Sequence, residues 1–301
     1  MNKEKYEWIL IVLIILLFLF IIYKYFVSRF IYSFYHIYEP FNNSPIIDYY
    51  VITMSQPDRL RNIEIQTEKL RNNITPFRIE DAQSNRSSSD SRPFISAPSS
   101  EAEGGILNEN WCINVDAVVG KTIDLDDLIK RGVLTSNVYD NKGNMFTRVF
   151  EKRKNEVGCY LSHLKTYDLI RNSNNDKKTD NSYSVVFEDD FELTPDFSAI
   201  LERTLLKLED ENFDFDMLFL GISGNTGDKV IDNVYYTMPG SFGAYGYVIA
   251  NKNIDRIIEK MKFIDNIVDV QMFSKGAKKE LTTIRLSPVI VNPGSFATTI
   301  R

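Results

Sequence analysis

Three adjacent carboxylates, Glu188-Asp189-Asp190, follow directly on the apolar run Val185-Val186-Phe187. An apolar strand that delivers acids to its C-terminal end puts them where open α/β sheets bind ligands. Acids packed side by side repel one another and lose hydration, so a divalent cation that bridges onward to a diphosphate would account for the arrangement. The competing reading is a solvated acidic turn before a helix. The buried-strand signal ahead of the acids offsets it.

The elements that must carry these acids are legible as alternating periods. Asp48 to Thr53 reads as a strand, and Pro57 opens a helix with Leu60, Ile63, Thr67 and Leu70 at helical spacing. A second helix covers about Cys159 to Ile170, and a polar stretch from Asn172 to Ser182 leads into the strand before the acids. Thr194 is placed to cap, and Pro195 to start, a helix with Phe197, Leu201, Leu205 and Leu208 on one face. Strands follow at Met217 to Leu220, Tyr245 to Ala250 and Val289 to Val291, with a helix stripe at Ile254, Ile257, Ile258 and Met261. Alternating strands and helices predict an α/β fold, a mostly parallel sheet with helices on both faces.

Residues 1–7 form a short tail, and residues 8–27 carry an apolar stretch, uncharged from Trp8 to Tyr23, that is long enough to span a bilayer. Aromatic flanks and the lack of small residues at its end predict a signal-anchor transmembrane helix. Residues 28–44 then read as a stem and 45–301 as the catalytic domain, interrupted at 83–105 by a Ser-rich flexible insert. Lys3 and Lys5 before the span nearly balance Lys24 and Arg29 after it. Glycosylation triplets at Asn42, Asn73 and Asn85 tilt the expectation toward a lumenal, ER- or Golgi-like domain over a cytoplasmic one.

The 301 residues carry a net charge of -6 with no basic stripe, which argues against a nucleic-acid partner. Two cysteines, Cys112 and Cys159, exclude a disulfide framework and a four-cysteine zinc site. Both read as buried small hydrophobes.

The stretch Gly158-Cys159-Tyr160-Leu161-Ser162-His163-Leu164, followed after the polar insert by Val186-Phe187-Glu188-Asp189-Asp190, resembles glycosyltransferase family 25, the lipooligosaccharide and procollagen galactosyltransferases. Further likeness lies in Val51-Ile52-Thr53-Met54 with Asp58-Arg59, in Val115 to Gly120, Asp216 to Gly221, Gly243 to Ile249, and Val268-Asp269. The resemblance implies a GT-A-type, Rossmann-like fold, a UDP-sugar donor, Mn²⁺ or Mg²⁺, and inversion at the anomeric carbon. A hexose, galactose or glucose, would pass to a hydroxyl of a glycan, lipid-linked glycan or protein acceptor. The chain departs from the family where Thr53-Met54 replaces Asn-Leu and Ser55-Gln56 replaces a basic pair.

On that resemblance Asp190 is the first metal ligand, with Glu188 and Asp189 assisting directly or through water. His163 bonds a phosphate or orients an acidic neighbour, and Arg59 binds donor phosphate or pairs with a carboxylate. Asp269, flanked by Val268 and Val270, is the first candidate for general base and Asp216 the second. Gly243, Tyr245 and Tyr247 form a sugar wall or belong to the core. Two other functions compete: a metal-dependent phosphoryl or phosphosugar transferase, which no P-loop pattern supports, and a silent membrane-anchored glycan-binding or scaffold protein of the same fold.

Overall fold

The computed structural model describes residues 45–73, 112–136, 150–173 and 181–294, with residues 20, 23 and 24. The tail, the stem, the Ser-rich insert and the rest of the expected anchor lie outside the described residues. Among those described, no helix is long and apolar enough to cross a membrane. The chain divides into the units Met1–Ser44 and Pro45–Arg301, and the second unit carries the sheet.

The elements of this unit run β1 (Ile46–Thr53), α1 (Pro57–Asn73), β2 (Cys112–Asp116), α2 (Leu125–Lys130), α3 (Phe150–Ser173), β3 (Ser182–Glu188), β4 (Phe191–Leu193) and α4 (Phe197–Asp210). They continue β5 (Met217–Ser223), β6 (Thr226–Ile231), β7 (Val234–Thr237), β8 (Phe242–Ala250), α5 (Ile254–Met261), α6 (Val268–Ala277), β9 (Thr283–Leu286) and β10 (Val291–Pro293). One sheet has the order β2-β1-β3-β8-β5-β9-β7-β6, and β4 and β10 form a second, two-stranded sheet.

Period-two alternation sends each central strand's side chains to two cores. Tyr50, Ile52, Val186 and Phe219 join Tyr160 and Tyr167 of α3, Ile257 of α5 and Met272 of α6. Tyr49, Val51, Val185 and Leu218 join Ile63 and Leu70 of α1 and Leu201 and Leu205 of α4. Helices therefore cover both faces, as the alternating pattern predicts.

The pairing corrects the mostly parallel expectation. β1 lies parallel to β2 and β3, and β5 to β9, but β8 runs antiparallel to both β3 and β5. The remaining pairs, β7 with β9 and with β6, are also antiparallel. Reversal of β8 brings its beginning, at Phe242 and Gly243, to the end of the sheet where β3 finishes.

Phase also changes along β8. Phe219 pairs with Tyr247 but Gly221 with Gly246, so Leu220 is an extra residue on β5. Ala244 and Tyr247, three apart, reach one core, whereas Tyr245 packs against the other. Tyr245 and Tyr247 would share a face in a regular strand, and the slip separates them.

Local boundaries differ from the sequence reading where tertiary bonds compete. The Thr194 N–H donates to the Ile290 carbonyl, and the helix starts at Phe197 after Asp196, with no side-chain cap. The last strand lies at Val291–Pro293 and pairs with β4 rather than the main sheet.

The Gly158-to-Leu164 motif begins with a docking function. A Cβ on Gly158 would lie 2.7 Å from the Val118 carbonyl oxygen, so α3 can sit on the 117–120 loop only without a side chain there. Ser162, one turn on, accepts the Val118 N–H at 2.8 Å and donates to the Gly158 carbonyl at 2.8 Å. Gly158→Ala is expected to destabilise the domain by about 1–3 kcal/mol through overpacking against backbone. Denaturant unfolding, read as a lower midpoint at unchanged slope, checks it.

Candidate active site

Glu188 ends β3, and Asp189 and Asp190 form the turn into β4. Helix α1 reaches this turn with two residues three apart, which share one helix face. Arg59, buried, sets Nη1 3.4 Å from Asp189 Oδ1 and 3.5 Å from Asp190 Oδ2. Asn62 Nδ2 donates to the backbone oxygens of Asp189 at 3.1 Å and Phe191 at 3.0 Å. The Met54 N–H, just beyond β1, donates to Asp189 Oδ2 at 3.1 Å. Burial pushes the Asp189 carboxyl above its ordinary range, although the Met54 N–H and Arg59 act the other way.

A metal is therefore not the sole relief for the acidic run, as its sequence suggests; a fixed guanidinium already relieves part of it. Of Arg59's two expected roles, the carboxylate pair is the one present. The three acids also separate: Asp189 and Asp190 flank Arg59, and Glu188 turns the other way, toward His163.

His163 is fully buried on α3, with Nε2 3.6 Å from Glu188 Oε1, an ion-pair distance too long for a hydrogen bond. Its Nδ1 lies 2.7 Å from the Tyr247 hydroxyl, which donates to the Tyr167 hydroxyl at 3.1 Å. Tyr247 commits its single proton to Tyr167, so its oxygen accepts from Nδ1–H, and this bond aims Nε2 at Glu188. Burial is the main cause that lifts the Glu188 carboxyl above its ordinary 4.5, with His163 opposing it. The structure thus sets His163 beside its acidic neighbour, Glu188. Tyr247 belongs to the core and not to a sugar wall.

Asp269 stands in the first turn of α6. Its Oδ2 accepts the Gly243 N–H at 2.7 Å and its Oδ1 the Val270 N–H at 2.7 Å. Each oxygen keeps a further lone pair. Gly243 has φ +83°, and a Cβ there would meet the Tyr245 ring at 2.6 Å. Gly243 therefore lets the start of β8 fold over Tyr245 while it fixes Asp269 near the acids of β3.

Asp216 is not part of this assembly. It precedes β5, and its carbonyl accepts the Ala250 N–H at the far end of β8, which places it at the opposite edge of the sheet. Fully buried, its carboxylate takes Arg256 Nε at 2.7 Å, Arg256 Nη2 at 2.6 Å and the Thr282 N–H at 2.7 Å. Burial holds its carboxyl above the ordinary range against these partners. It is a structural acid, and as second candidate for the base it is set aside because it lies at the wrong end of its strand.

The sequence-predicted residues brought together are thus Arg59, His163, Glu188, Asp189, Asp190, Gly243, Tyr245 and Asp269. The sequence model of glycosyltransferase family 25, described as an LPS biosynthesis protein family, matches residues 46–272, which contain all of them. The chain belongs to glycosyltransferase family 25. It is also similar to procollagen galactosyltransferase 1-A of Xenopus laevis, with 25% identity over 210 residues, 60% of this chain and 31% of that protein. This glycosyltransferase family 25 chain therefore spans about a third of the length of that relative.

Sequence reasoning missed Asn62, Met54 and the Tyr247–Tyr167 pair as site supports. Asn62 had a detectable signal, its place one turn after Arg59. A backbone donor such as Met54 has none.

Two outcomes are expected from these partners. Asp216→Asn turns an amide donor toward the Thr282 N–H or Arg256 and costs about 1–3 kcal/mol, while transfer kinetics of the folded fraction stay unchanged. Paired unfolding and steady-state measurements check both halves. For Glu188, whose folded pKa is raised, the native state holds the proton more tightly than the unfolded chain, so this residue's contribution to stability falls as pH rises above its ordinary 4.5. Glu188→Gln removes that loss: its Tm exceeds the parent's at neutral pH, and the advantage disappears below pH 4.5 in a pH series of thermal melts.

Proposed function

We propose that this chain transfers a hexose, galactose or glucose, from a UDP-sugar to a hydroxyl of a glycan, lipid-linked glycan or protein acceptor, with inversion. The observation that carries the reading is that Asp269, held by the Gly243 N–H, stands close enough to Glu188 at the end of β3 for its charge to act on that carboxyl. An inverting transfer needs a base on one side of the anomeric carbon and a stabilised leaving diphosphate on the other.

Asp190 supports a divalent cation, Mn²⁺ or Mg²⁺. Its Oδ1 is buried without a hydrogen-bond partner among the described residues, an orphaned acceptor of the kind a cation satisfies. Asp190 would hold the ion with Asp189, and Glu188, turned toward His163, would assist through water. When bound, the ion neutralises charge on the leaving diphosphate. Arg59 keeps Asp189 and Asp190 in place. Asp269 takes the proton of the acceptor hydroxyl on a carboxylate oxygen as that hydroxyl attacks. Tyr245, ordered over Gly243, offers an aromatic face to a sugar's C–H surface.

The apolar stretch at residues 8–27 supports a single-pass anchor, and the glycosylation triplets support a lumenal catalytic domain. Purified full-length chain tested with a panel of UDP-sugars is expected to release UDP with one donor in Mn²⁺ and not in chelator. Asp190→Asn is expected to lower kcat/KM by at least about 100-fold, the scale of removing a group that stabilises the transition state. Folded protein that binds a glycan yet releases UDP from no donor would instead favour the silent binding protein.

A further inference from the structure

Beside the β3–β4 turn lies a set of ligand atoms of which the proposed transfer uses only Glu188, and that through water. Cys159 and His163 are four apart on α3 and so share a face. With Glu188 they place a sulfur, an imidazole nitrogen and a carboxylate oxygen all within 4.8 Å of one another. We propose that Cys159, His163 and Glu188 form a second cation site, selective for a thiophilic divalent ion such as Zn²⁺ and distinct from the hard-cation position at Asp190.

The chemistry of the donors separates the two sites. Thiolate and imidazole with one carboxylate suit zinc, whereas carboxylates alone suit magnesium or manganese. His163 Nε2 is a buried nitrogen without a hydrogen-bond partner among the described residues, and it faces this cluster. Its orientation is already fixed, because Tyr247 takes the Nδ1–H at 2.7 Å and Tyr167 takes the Tyr247 hydroxyl proton. Metal-binding histidines are held this way by a partner on the other ring nitrogen. Glu188, its side chain 29% exposed, and the half-buried Cys159 give the ion a way in. Burial pushes the Cys159 thiol well above its ordinary range, and the charges of Glu188, Asp269, Asp190 and Asp189 add to the rise; it is those charges, not the burial, that favour a cation. On binding, the thiol gives its proton to solvent and the sulfur lone pair to the ion, which then neutralises the carboxylates around it.

The test titrates metal-free full-length chain with Co²⁺ and then competes with Zn²⁺. The parent chain is expected to show a thiolate-to-cobalt charge-transfer band that Zn²⁺ abolishes. Cys159→Ser should lose the band and bind Zn²⁺ at least about ten-fold more weakly, and Tyr247→Phe should keep the band with affinity lowered about ten-fold. Cys112→Ser should behave as the parent. Asp190→Asn should also keep the band, which separates this site from the proposed transfer site whatever becomes of the latter. A parent without the band, a band that survives Cys159→Ser, or one lost with Cys112→Ser or Asp190→Asn would overturn the assignment.

Discussion

The candidate site depends on one buried guanidinium. Carboxylates that leave water must be paired, and Arg59 meets Asp189 and Asp190 with a planar, permanently charged group. Because Arg59 and Asn62 lie on one face of α1, the same helix that neutralises the side chains of the turn also satisfies its backbone oxygens. The β3–β4 turn is thereby tied to the first strand–helix unit of the domain, and Met54 adds a third tie from the end of β1. Being shielded from solvent, such pairs are little screened by salt.

From that tie the other groups take their places in order. β3 is pinned between β1 and β8, so Glu188 meets α3 while the reversed β8 carries Gly243 to Asp269 of α6 on the same face. Two acids answer to Arg59 and one faces His163, so the acidic run is divided between two partners rather than acting as a single cluster. His163 in turn is anchored in the core through Tyr247 and Tyr167, so the candidate site inherits the rigidity of the packed interior.

Much of this is legible in the sequence because it rests on local pattern. The apolar strand into Glu188, the helix after Pro57 and the motif around His163 all announce themselves within a few residues. What escapes depends on partners far away in sequence. Asp216 and Glu188 both adjoin apolar strands, yet one precedes its strand and the other ends it, and only the strand direction tells which edge each occupies. The reversal of β8 leaves no trace in its own residues. Strands β6 and β7 escape because their solvent-facing residues dilute the apolar signal, although Asp232-Asn233 between them, with Asn233 at φ +64°, is a usable hairpin cue. Thr194 has the residue type of a cap, but a distant carbonyl claims its N–H.

The phase slip at Gly246 gives β8 two reading frames. Inward of the slip, alternation is dictated by Tyr247, Val248 and Ile249 in the packed interior; outward of it, Tyr245 and Ala244 follow the opposite parity. Substitutions in the outer part of β8 thus follow a different in–out pattern from those in its interior, with Ala244 still buried and Gly243 still held to its positive φ.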